Sequence, residues 1–167
     1  MIIIGIIGNF IPFFLISWAE QYIPSSTAGM LMAIGPIITL VMSHFLTKSD
    51  KFTIIKFISI SIGFIGVLFI FSTNSFGNLL EYNFIDLIAK FLVIIAAFGY
   101  MLSNIIAYEK LNQLDSFSIT TFATTFGAIF SIPFFLIDIS FNNYNYTFNY
   151  NSFLAVIYLG IFPTAIA

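Results

Sequence analysis

The sequence predicts an all-α membrane protein with about six transmembrane helices. Three observations carry that reading. Only 7% of the 167 residues are charged and 60% are hydrophobic, whereas a soluble domain solvates its surface with roughly 25% charged residues. The mean hydropathy is +1.06. The apolar residues also fall into runs close to the roughly 20 that cross a bilayer as a helix, with polar clusters between them. Strand-like alternation is missing, which argues against a transmembrane barrel.

The first span is placed at 2–18, with Pro12 as a candidate kink and Asn9 as a polar group among apolar neighbours. A polar hinge, Glu20 to Ser26, separates it from a second span at 27–46. Pro36, preceded by Gly35, interrupts the middle of that span; proline has no N–H to donate and kinks a helix. Transporters use such broken helices to present polar backbone at the midplane. The third span is placed at 54–72, where Gly63 and Gly66 are expected to serve close helix packing. The fourth, fifth and sixth follow at 84–107, 117–139 and 152–167, with Pro133 as a second candidate kink. The first span starts at Met1 without a charged leader, and the last stops at Ala167. The chain is therefore expected to be cut from a larger membrane protein at both ends.

Lysine sets the expected orientation. All five basic residues are lysine. Lys48, Lys51 and Lys56 flank the second connection and Lys110 lies in the fourth, while the first, third and fifth connections carry none. The positive-inside rule then puts the second and fourth connections in the cytoplasm, and both chain ends with them. The residue usage, rich in Ile, Phe, Asn and Lys, reads as AT-rich coding. A bacterial inner or plasma membrane is the expected location.

Several chemistries are excluded by inventory. There are no cysteines, so disulfides, thiol catalysis and cysteine metal sites are out. One histidine, His44, cannot build a metal site alone, and it reads as interfacial before it reads as a proton relay. A net charge of −2 implies no nucleic-acid partner. No Ser-His-acid set, phosphate-cradling loop or metal motif occurs, so the chain is read as no enzyme, and no cofactor is expected.

Six residues remain as candidates for substrate binding: Trp18, Glu20, Pro36, Lys90, Tyr100 and Asn104. Glu20, beside Trp18 and Tyr22, is either a wet interfacial carboxylate in an aromatic belt or a substrate- or proton-binding group. Lys90 is four residues after Asp86, on the same helical face; it is either half of a structural pair or a substrate-binding ammonium. Tyr100 and Asn104, like Asn9 and Ser103, either line a pore or hydrogen-bond a neighbouring helix.

The order of these features resembles one known family. Residues Phe13 to Thr39, with the aromatic helix end, the polar hinge and the mid-helix Pro36, are similar to the third-to-fourth helix region of EamA-type members of the drug/metabolite transporter superfamily. Phe45 to Thr53 resembles the family's short cytoplasmic turn, with Asp50 where a glutamate is usual, and Gly63 to Val67 resembles its fifth helix. Asn78 to Tyr100 resembles the start of its second repeat, and Tyr158 to Ala167 its third helix. The resemblance implies a partial 5+5 inverted-repeat bundle: helices three to five of one repeat in 1–72, a connecting loop at 73–83, and helices one to three of the next in 84–167. It also implies a secondary transporter that moves a small metabolite by alternating access. The partners then expected are the lipid bilayer and a small-molecule substrate, with a homodimer open. The alternative is a non-transporting membrane scaffold or assembly subunit.

Overall fold

The computed structural model describes residues 1–47, 52–71, 83–111, 113–141 and 149–161. Among these the chain forms six helices: α1 (Ile2–Ala19), α2 (Ser25–Leu46), α3 (Ile54–Phe71), α4 (Phe84–Lys110), α5 (Ser116–Phe141) and α6 (Tyr150–Ile161). No strand occurs among the described residues. Helices α1, α2, α4 and α5 are long and apolar enough to cross a membrane. The apolar stretch of α3, Ile54–Phe69, is shorter. The 12 described residues of α6 rise about 18 Å, short of the roughly 30 Å hydrocarbon core; the expected end of that span, 162–167, lies outside the described residues. Most of the expected 73–83 loop lies outside them as well.

The chain divides into two compact units, Met1–Ile132 and Pro133–Ala167. In the first, α4 is the central helix. Its buried face, including Ala89, Val93, Ala96, Ala97, Ser103 and Ile105, packs against α1 and α2. Lipid is as apolar as leucine, so helices in a membrane associate by close packing and not by a hydrophobic drive. Small side chains at these positions let the backbones approach. In the second unit, Asn149 starts α6: its side-chain oxygen accepts from the Asn151 N–H at 3.0 Å, and its carbonyl accepts from the Phe153 N–H at 3.0 Å.

Among the described residues, two helices depart from regular geometry, each at a proline. In α1, residues Ile6–Phe10 form a wider, π-type turn in which the Ile11 N–H reaches back to the Ile6 carbonyl. The cause stands directly after it. Pro12 cannot donate, and its ring would collide with the carbonyl four residues earlier; a widened turn relieves that clash. In α2 the α-helix stops at Met32 and resumes at Gly35. The Ile34 N–H bonds three residues back to Leu31 at 3.3 Å, and Pro36 sits in the first turn of the second half. The expected interruption at Pro36 is thus present, as a tightened turn at Ala33–Ile34.

Close packing falls on different glycines from those expected. Gly63 and Gly66 on α3 are exposed, with nothing within 4 Å of an added Cβ. Among the described residues they do not serve a helix contact. The tight contacts instead surround α1. A Cβ at Gly8 would overlap Ser103 of α4, and one at Gly99 of α4 would lie 3.0 Å from the Ile7 carbonyl. On the α5 side, a Cβ at Gly5 would lie 2.7 Å from Phe126 Cβ, and one at Gly127 would lie 2.9 Å from Asn9 Cβ. The Ser103 hydroxyl donates to the Ile4 carbonyl at 3.3 Å, the helix–helix role that was one of its two readings.

Candidate functional site

The hinge after α1 is ordered by its own hydrogen bonds. Glu20 ends the helix, and the Tyr22 and Ile23 N–H groups both donate to the Ala19 carbonyl, at 2.9 and 3.0 Å. Pro24 then takes an extended backbone and starts α2, its carbonyl accepting from Thr27 and Ala28. Ile23 and Ala28 are buried with Ala19, Ala89 and Val93, and Trp18 packs on that cluster. The Trp18 and Tyr22 rings lie 4.7 Å apart at 49°. Trp18 therefore anchors the turn to α4, while Glu20, Gln21 and Tyr22 are exposed around it.

Two polar groups are buried on this side. Lys90, one turn inside α4, is 8% exposed, and its ammonium lies 3.7 Å from the Asp86 carboxylate. That distance is an ion pair but too long for a hydrogen bond. Thr27 is 0% exposed, and its hydroxyl has no hydrogen-bond partner among the described residues. Such an orphan costs about 1–3 kcal/mol. Sequence reasoning passed over Thr27, because a threonine in a helix first turn is ordinarily satisfied.

The break in α2 borders a cavity of about 540 Å³ between the second half of α2, the start of α3 and Met101 of α4. Pro36, Thr39 and Ser43 contribute from α2, and Lys56 and Ser59 from α3. The Thr39 hydroxyl donates to the Gly35 carbonyl at 3.0 Å and that of Ser43 to the Leu40 carbonyl at 3.1 Å. Their protons are committed to the helix, and their oxygens can still accept. Gly35 is closely packed on α4: a Cβ there would strike the Met101 methyl group. A smaller cavity of about 220 Å³ lies at the widened turn of α1, lined by Asn9, Phe10, Thr124 and Ser131 among others.

The six candidates do not meet at one point. Pro36 lines the large cavity; Trp18, Glu20 and Lys90 lie toward the hinge; Tyr100 and Asn104 are exposed on α4 and line neither cavity described above. Thr39, Ser43 and Ser59 were not singled out from the sequence, and Lys56 was read there for orientation alone. Only the spatial pairing of α2 with α3 makes them neighbours.

These helices, with their broad apolar faces, define a multi-pass membrane protein. Residues 1–72 match the EamA-like transporter family. That match covers α1 to α3 and agrees with the resemblance read in those residues. No curated protein matches the chain, and no solved structure does.

Proposed function

We propose that the chain works as a secondary transporter, moving a small metabolite by alternating access between two inverted repeats that meet in the 73–83 connection. The observation that carries the proposal is the break at Ala33–Ile34 in an EamA-like segment, beside a cavity. A broken helix presents backbone carbonyls at membrane depth. Here Pro36 has no N–H for the Met32 carbonyl, which can turn to a substrate. Glu20 and Lys90 would then contribute charge from the hinge side, and Trp18, Tyr100 and Asn104 the walls. The lysine-flanked connections would face the cytoplasm of a bacterial cell, as would both ends of this chain. A homodimer is compatible with the exposed apolar faces.

The test is uptake. The protein would be reconstituted into liposomes and offered labelled amino acids, nucleosides and sugars, with empty liposomes as reference. Saturable uptake of any one supports transport; none across the panel favours the scaffold reading, which the dispersal of the six candidate residues supports. Glu20→Gln should alter the pH profile of that uptake, and an unchanged profile removes Glu20 from the mechanism. Orientation has its own readout, since a chain without cysteine accepts single probes cleanly. Gln21→Cys should react with an impermeant maleimide on intact cells, and Thr53→Cys should not.

A further inference from the structure

We propose that the groove between α2 and α3 holds an anionic phospholipid of the bilayer, with its phosphate at Lys56 and one acyl chain running toward the break at Pro36. The groove volume, about 540 Å³, lies within the roughly 300–1,000 Å³ of small-ligand sites. Its chemistry is divided along its length. Lys56 and Ser59 stand one turn apart at the lysine-bearing end of α3 and supply an ammonium and a hydroxyl to one anionic group. Pro36, Leu40, Ile60 and Met101 line the rest with carbon. Thr39 and Ser43 direct their protons into their own helix, so they offer an anion no donor deeper in the groove. A charge at one end and an apolar track behind it fit an amphiphile. The surroundings select the lipid: Ile55, Ile58 and Ile62 on α3 are exposed, as in a helix bathed by acyl chains. Basic residues on the cytoplasmic side attract anionic headgroups. This proposal does not depend on what is transported, or on whether transport occurs.

The test is lipid retention, read by native mass spectrometry of the full chain released from detergent. Micelles would be supplied in turn with phosphatidylglycerol, phosphatidylcholine or inorganic phosphate. Wild-type protein should keep phosphatidylglycerol in preference to phosphatidylcholine. Lys56→Gln should lower that preference about fivefold, the share of one basic residue near an anionic surface, and Lys56→Arg should retain it. Ser59→Trp, which fills the groove and leaves the lysine, should lower retention of both lipids. Lys110→Gln, at the end of α4, should change nothing. The proposal is overturned if wild-type protein shows no preference. It also fails if Lys110→Gln removes as much as Lys56→Gln, since diffuse surface charge then explains the binding, or if inorganic phosphate displaces the lipid, since the site then takes a free anion.

Discussion

Gly8→Ala tests the interface that seats α1 on α4. The added methyl group would overlap the Ser103 hydroxyl and come within 2.5 Å of Ser103 Cβ. A hydroxyl can rotate away, but a Cβ is fixed by its backbone, so the two helices must separate. Overpacking of this kind costs about 1–3 kcal/mol. Alanine returns at most about 1 kcal/mol in helix propensity over glycine. Separation also weakens the bond from Ser103 to the Ile4 carbonyl, already 3.3 Å long, and side-chain bonds between membrane helices average about 0.6 kcal/mol. The balance is a net loss of about 1–2 kcal/mol. Unfolding by rising SDS fraction in mixed micelles would measure it, read by the emission of Trp18, the single tryptophan, which packs on the α1–α4 cluster. Ser103→Gly removes both atoms that the new methyl group meets, so the double variant should regain most of the loss. A Gly8→Ala midpoint at or above wild type would refute the packing argument. So would a double variant whose loss equals the sum of the two single losses.

Three further outcomes are expected. Gly63→Ala and Gly66→Ala, with open space around each, should leave the same midpoint unchanged or raise it, by up to about 1 kcal/mol each; a drop in either would reveal a contact there. The His44 Nδ1 accepts from the Phe52 N–H at 3.2 Å, so nitrogen NMR should find the neutral imidazole protonated on Nε2, and His44→Phe should speed hydrogen exchange at the Phe52 amide. At the start of α5, hydrogen bonds from the Ser118 side chain and from its N–H, the latter at 3.0 Å, lower the pKa of Asp115. A carboxylate whose folded pKa is depressed stabilises fully above its unfolded pKa, about 3.9, and that contribution is lost as pH falls through the lower folded value. Carbon NMR of Asp115 should therefore give a midpoint below 3.9, and a value at or above it would contradict the cap.

The elements and their limits were legible because hydropathy is a property of single segments. The spans expected at 2–18, 27–46 and 54–72 correspond to α1, α2 and α3, and 84–107 and 117–139 to α4 and α5, with ends shifted by a few residues. The α2 break was legible for the same reason, since Pro36 acts on its own helix. Contacts between helices were not. Gly63 and Gly66 are small residues suited to close packing, yet Gly5, Gly8, Gly35, Gly99 and Gly127 make the close approaches. Which face of a helix meets a neighbour is decided by the partner, and nothing in the glycine itself reports it. Trp18 was read as interfacial or cavity-lining, while its packing on Ala19, Ala89 and Val93 required knowing that α4 lies alongside.

The two proline-induced irregularities have opposite settings, and the contrast bears on where motion can occur. The widened turn of α1 is held on both sides. On one side are Gly8 and Ile7 against Ser103 and Gly99; on the other are Gly5 and Asn9 against Phe126 and Gly127. Bending there would disturb close backbone approaches on both faces at once, approaches that leave no room for a Cβ, so the turn is a packed defect. The break in α2 has a different environment. Both halves pack on α4, the first through Ala28 and the hinge cluster and the second through Gly35 beside Met101, but the second half also borders a cavity of about 540 Å³ and a helix, α3, that is exposed along most of its length. Movement of Gly35–Leu46 about Ala33–Ile34 would change the shape of that cavity without breaking the α1–α4 contacts. A lipid seated between α2 and α3 would fill the space into which that half swings. Its retention and the mobility of the Gly35–Leu46 segment should therefore vary in opposite directions.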